Sequence, residues 1–216
     1  MAKVDVDTLV EYLKGFGVAD ALIPALIMTA SFESGIQTGV DNVNENQTKD
    51  FGVFQVNVEE FYDDKTDEPD KTITTFFEKK GREYSKDELK KLLLDNEKFS
   101  AEFTAHYIDR LENNPDSFKT GGDPLVKWTE YRERVKPFLS GERIEGRNKE
   151  DIQAAINAYM DAYLLVHNMR EAEKIEQSLE NISDPTTGES KVFHQYFIPN
   201  LKAGNIKELD PLAKDK

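Results

Sequence analysis

The stretch from Ala21 to Phe32 has two hydroxyls as its only polar side chains, and it runs directly into Glu33, Ser34 and Gly35. A segment like that has to be largely buried, so it constrains the fold more than any other part of the chain. It reads as a helix. Asp20 can cap its start, Pro24 falls in the first turn where a missing N–H is tolerated, and Gly35 is a natural stop. Counting back by helical steps, Glu33 shares a face with Ala30, Thr29 and Leu26. Its carboxyl then lies on or beside the buried stripe, near the negative end of the helix dipole. Burial and dipole both disfavour the charged form and raise the pKa. A carboxylic acid still protonated near neutral pH is what general acid catalysis requires. Taken alone, a glutamate closing an apolar helix is more commonly a partly exposed helix-end charge.

A second signal follows a polar loop. Residues 35–50 are rich in Gly, Asn, Asp, Gln and Thr and read as an irregular or hairpin segment. They lead into Phe51-Gly52-Val53-Phe54-Gln55-Val56-Asn57. Phe54 and Val56 alternate with Gln55 and Asn57, as in a short half-buried strand or a tight turn. Gly52 permits close backbone approach, and the Gln55 and Asn57 amides suit the wall of a polar cleft.

Together, Glu33-Ser34 and Gly52-Val53-Phe54-Gln55-Val56-Asn57 resemble the paired motifs of the lysozyme-like lytic transglycosylases, the superfamily that includes the goose-type lysozymes. Pro124-Leu125-Val126-Lys127-Trp128-Thr129-Glu130-Tyr131 is similar to a Trp-x-x-Tyr segment of the bacteriophage members, and Trp128 is the only tryptophan. Arg132-Glu133-Arg134 stands where small residues often follow in that family. The resemblance covers roughly residues 5–140. It implies a mainly α, lysozyme-like (α+β) domain with a small β and loop region, acting on peptidoglycan glycan strands. It also implies cleavage of the β-1,4 bond between N-acetylmuramic acid and N-acetylglucosamine. Glu33 would protonate the glycosidic oxygen and then serve as base on the sugar 6-hydroxyl, leaving a 1,6-anhydro end. Ser34 would support Glu33 or the substrate, Gln55 would contact a sugar acetamido or hydroxyl group, and Asn57 and Tyr131 would line the substrate site. No cofactor and no metal are expected.

Hydrolytic glycosidases normally use two carboxylates. Asp41, Glu45 and Asp50 lie where a lysozyme's second acid would fall, and none has a distinctive sequence context. The one-glutamate transglycosylase mechanism is therefore favoured over hydrolysis. A rival of another class is a virion structural or ejection protein that keeps a lysozyme-like fold with little activity.

Net charge is −14, which disfavours DNA binding, since phosphate attraction needs a basic face. The acidity also fits a part delivered to its substrate by an assembly better than an enzyme that searches an anionic wall by charge. Acidity that merely keeps the protein soluble is at least as good an account. No run approaches the roughly 18 apolar residues of a membrane span. The amino terminus, Met1-Ala2-Lys3-Val4-Asp5, lacks a signal-peptide core. A wall-cleaving enzyme made in a cytoplasm without its own export signal points to a bacteriophage, released through a leak or carried in the virion. The absence of cysteine excludes disulfides, thiolate metal sites and a cysteine nucleophile.

The remaining segments sort by pattern. Val6, Leu9, Val10 and Leu13 predict a helix over 6–14. Residues 59–81, with Asp63-Asp64, Asp67-Glu68 and Asp70 around Pro69, read as an acidic solvated insertion. Ser85 and Glu88 predict a capping box opening a helix to Asp95. Phe99, Phe103, Tyr107 and Leu111 predict another helix, with His106 at its core edge, and residues 123–139 predict one more. His167 and His194 have no partners at metal-ligand spacing. Residues 1–140 are thus expected to form the lysozyme-like domain and 141–216 a helical C-terminal extension. After a polar hinge at 140–146, Asn148 with Asp151 resembles a cap for a helix from about Lys149 to Glu180. Ile152, Ile156, Tyr159, Tyr163 and Val166 give it a coiled-coil-like seam. That helix has two options, packing back on the domain or docking on a tail or other virion protein. Phe193, Tyr196, Phe197 and Ile198 form an aromatic cluster that would suit an anchor.

Overall fold

In a computed structural model, which describes residues 1–44, 47–114 and 119–167, the apolar segment forms a helix wrapped on all sides. This helix, α2 (Ile23–Ser34), buries every side chain from Ile23 to Phe32 except that of Ser31. It begins without a side-chain cap. Asp20 stays exposed, because a turn closed by the Leu22 N–H on the Ala19 carbonyl (2.8 Å) stands between it and the first helical residue. Gly35 ends the helix in the left-handed region (φ 66°), with its N–H on the last carbonyls.

Before α2 come β1 (Ala2–Lys3) and α1 (Val6–Gly15). After it come β2 (Gln37–Thr38), β3 (Asp41–Val43), β4 (Lys49–Phe51) and β5 (Val56–Asn57). β1 pairs antiparallel with β2, and β3-β4-β5 form an antiparallel three-stranded sheet. The helices α3 (Lys71–Lys80), α4 (Lys86–Asp95) and α5 (Glu97–Asn113) follow, then α6 (Lys136–Leu139) and α7 (Lys149–His167). The described chain is therefore mainly helical with two small sheets. α3 and α4 pack on α5, α5 on α1, and α1 and α7 on α2.

Three further expectations are corrected. Residues 59–81 are not a solvated insertion: a 3₁₀ turn (Val58–Phe61) is followed by α3, whose Thr72, Ile73, Phe76 and Phe77 are buried. Asp70, one of the acids that suggested a loop, caps α3 by accepting from the Thr72 and Ile73 N–H groups. The expected helix over 123–139 is broken. Pro124–Lys127 forms a 3₁₀ turn capped by Asp123, Trp128 is extended, and Tyr131–Val135 is wound as a wide π turn before α6. For the wide turn, Pro137 gives the physical reason. It has no N–H for the carbonyl one turn back, and the wide turn re-routes the bonding, with the Lys136 N–H reaching the Tyr131 carbonyl.

The third correction concerns the C-terminal part. α7 opens as expected, with the Asp151 N–H on Asn148 Oδ1 at 2.8 Å. Its seam, Ile152, Ile156, Tyr159, Tyr163 and Val166, joins the same buried core as α1 and α2. The boundary expected at 140 therefore does not divide the packing, and over 149–167 the helix packs back on the domain. Its expected continuation to Glu180 and the aromatic cluster at 193–198, with His194, lie outside the described residues. Among the described residues no helix is long and apolar enough to cross a membrane, and no group of three His, Asp or Glu side chains could hold a metal ion.

Candidate functional site

An open cleft of about 600 Å³ lies between the end of α2, the β3-β4-β5 sheet, α5 and the segment 127–130. Sheet register builds one wall. Asn42 on β3 is paired with Asp50 on β4, and Asp50 with Asn57 on β5. A transverse row of paired residues shares one face, and all three line the cleft. Glu33, in the last turn of α2, lines the same cleft, as do Glu60, Tyr107, Lys127, Trp128 and Glu130.

The Glu33 carboxyl is pushed up from 4.5 to about 7. Burial is the largest cause, and the negative charges of Glu130 and Asp50 add to it. The Glu130 backbone N–H, which donates to Glu33 Oε1 at 3.3 Å, and the Arg147 guanidinium act the other way. The balance leaves an acid about half protonated near neutral pH, able to give up its proton without stepping far from ambient conditions.

The same balance shows in stability. Below pH 4.5 Glu33 is neutral whether the chain is folded or not. Between 4.5 and about 7 the unfolded chain releases its proton first, so stability falls as pH rises. Above 7 the full penalty applies, on the order of 3 kcal/mol from the size of the shift. Glu33→Gln, which cannot ionise, is expected to match the wild type in urea unfolding at pH 4. It should exceed it by up to about 3 kcal/mol at pH 8. Equal midpoints at pH 8 would show that Glu33 is not held in its neutral form.

The other residues singled out in the sequence take different places. Ser34 is buried and donates to the Val53 carbonyl at 2.7 Å; its hydroxyl ties the turn 52–55 to α2 and does not line the main cleft. Gln55 lines the cleft in a left-handed conformation (φ 49°), with its Nε2 donating to the Gly52 and Val40 carbonyls. Its Oε1 is buried without a hydrogen-bond partner. Asn57 also lines the cleft. Its Oδ1 caps the 3₁₀ turn through the Glu59 N–H, and its Nδ2 donates to Thr48 Oγ1 at 2.9 Å.

Tyr131 is not brought to the cleft: its hydroxyl donates to Asp123 Oδ2 at 3.0 Å. The tyrosine that lines the cleft is Tyr107, read in the sequence only as part of an apolar helix face. Trp128 does line it, with its indole N–H on the Phe54 carbonyl at 2.8 Å. His106 is a core-edge histidine, as expected, with Nε2 near the Thr72 carbonyl (2.9 Å) and a pKa lowered by burial.

Of the three second-acid candidates, Glu45 lies outside the described residues. Asp41 is bound to Lys49 at 2.7 Å, which holds its carboxyl below the usual range, and it is not in the cleft. Asp50 is in the cleft. Burial raises its pKa, against a hydrogen bond from Asn44 Nδ2 at 2.8 Å. Sequence reasoning missed Glu60, Tyr107, Glu130 and Arg147. Only Tyr107 had a usable signal, as the one polar tip on the aromatic stripe of α5.

No protein-family model matches this sequence, and no curated protein matches it either.

Proposed function

We propose that this protein cleaves the glycan strands of peptidoglycan as a lysozyme-like lytic transglycosylase, with Glu33 as its acid and then its base. The observation that carries the reading is a carboxyl with its pKa near 7, set at the end of a fully wrapped helix and open to a polar cleft. A shifted acid in a concave site with convergent polar groups is the pattern expected of a general acid. The asparagine amides of Asn42, Asn44 and Asn57 suit a ligand rich in hydroxyl and amide groups. Trp128 and Tyr107 add aromatic surface for sugar rings. On the same reading the chain belongs to a bacteriophage and is carried with the virion to the wall.

One observation favours hydrolysis as a second reading. Asp50 lines the same cleft as Glu33, close enough for its charge to raise the Glu33 pKa. It could steady an oxocarbenium ion, attack it, or activate water. The test is a digest of purified peptidoglycan with products separated by mass spectrometry, run with the wild type and Asp50→Asn. Anhydro ends from both proteins, with rates within about fivefold, are expected of the one-glutamate mechanism. Reducing ends, and a loss of about 10²-fold or more in Asp50→Asn, would make the enzyme a two-carboxylate hydrolase. No product from either, across several wall types, would move the reading to a virion structural part.

A further inference from the structure

Beside Glu33 stands a compact group of charges that the acid's own chemistry does not require. Glu130 is a buried carboxylate with one guanidinium on each oxygen: Arg134 Nη1 on Oε2 and Arg147 Nη2 on Oε1, both at 2.6 Å. Arg147 Nη2 also donates to the Phe32 carbonyl at 3.3 Å, in the last turn of α2. Glu130 is in the first turn of its helical segment, where a backbone N–H has no intrahelical acceptor, and that N–H donates to Glu33 Oε1. Three separate parts of the chain therefore meet at one carboxyl: the end of α2, the segment 128–135, and the strap that leads into α7.

We propose that Glu130 and Arg147 are positioning residues for Glu33, fixing its carboxyl through the Glu130 N–H and setting the local charge through the Glu130–Arg147 pair. This rests on the reading of Glu33 as the acid.

The physical case is a division of labour. A buried carboxylate is costly unless paired, and a buried guanidinium equally so. Nothing about holding the fold requires that a second carboxylate be put beside Glu33, where like charges repel. Placed there with its own cations, Glu130 offers Glu33 a hydrogen-bond donor for orientation and a negative neighbour that discourages ionisation. Arg147 tempers that negative charge and reaches round to the carbonyl preceding Glu33, so the strap senses and holds the same helix turn. The other charged groups near Glu33 are few. Asp50 on β4, with Glu60 and Lys127, lines the main cleft, and Asp151 of α7 lines a smaller pocket shared by Glu33 and Arg147.

The proposal makes two changes act in opposite directions. Glu130→Gln removes the negative neighbour and leaves two guanidinium groups uncompensated, so the Glu33 midpoint should fall by about one pH unit. Arg147→Met removes a positive neighbour and unbalances Glu130, so the midpoint should rise by a similar amount. Arg147→Lys keeps the charge and should stay within a few tenths of the wild type. The measurement is a carboxyl NMR titration of the full chain labelled at glutamate. Glu33 is identified as the signal missing from Glu33→Gln, and the pH profile of glycan cleavage is recorded alongside.

Opposite shifts, mirrored in the pH profile where cleavage is seen, are the expected result. If Glu130→Gln does not fold, the Arg147 pair alone decides. Unchanged midpoints, or shifts of the same sign, overturn the proposal and leave the cluster a structural ion pair. Opposite shifts without cleavage by any variant would sustain the positioning role while removing the enzymatic reading.

Discussion

Glu33→Gln is expected to abolish glycan cleavage, by about 10³-fold or more, while the protein stays folded. The substitution keeps size and shape but removes the proton that must pass to the glycosidic oxygen. In the transglycosylase mechanism it also removes the base that would take the 6-hydroxyl proton, so both halves of the reaction fail together. The fold should survive, because at neutral pH the wild-type side chain is already half in its uncharged form. The Gln Oε1 can still accept the Glu130 N–H. In the wild type, cleavage should fall as pH rises through about 7, because the acid is then lost. The check is a digest of purified wall followed by turbidity and mass spectrometry, with circular dichroism of both proteins. A Glu33→Gln protein that still cleaves at more than a tenth of the wild-type rate would remove Glu33 from the chemistry.

The largest stability effect is expected at Gly52. Its φ of +74° is a conformation that side-chain-bearing residues rarely adopt, and a Cβ there would sit 1.9 Å from the Leu93 carbonyl oxygen. That oxygen is backbone at the end of α4, so it cannot step aside. Gly52→Ala should therefore cost at least about 4 kcal/mol, in the range of a disrupted core. The damage would also reach the site, since the turn 52–55 carries Gln55 and is pinned to α2 by Ser34. Gly15→Ala is the control. It has open space around it and sits at the end of α1, so it should change stability by less than about 1 kcal/mol. Urea midpoints of the two variants measure the contrast. Comparable midpoints would mean that the turn 52–55 and α4 are not packed as closely as described.

The close approach at Gly52 was anticipated in the sequence, but its partner was not. The glycine faces the end of α4, far along the chain, and no local pattern names such a contact. The same limit explains the other differences. Glu33, Gly35, the capping box at Ser85 and Glu88, and the seam of α7 are set by neighbours within a few residues, so they can be read directly. α3 could also have been read. Ile73, Phe76 and Phe77 have helical spacing, but the acids before them obscured it. Tyr131 and Tyr107 could not be told apart, since both sit on apolar faces and only the fold decides which one meets the cleft. Arg147, between the polar hinge at 140–146 and the cap at Asn148, gave no sign that it would lie against the acid.

The two walls of the cleft differ in how they are built. Glu33 rides on a helix buried along nearly its whole length, so its backbone amides should exchange with solvent only when the molecule unfolds as a whole. The facing wall is made of strands two and three residues long, and β3 is exposed throughout. Phe51 on β4 and Val56 on β5 are buried, so β3 is the part of this wall expected to open at the lowest free energy. The protein thus has one fixed jaw and one yielding jaw.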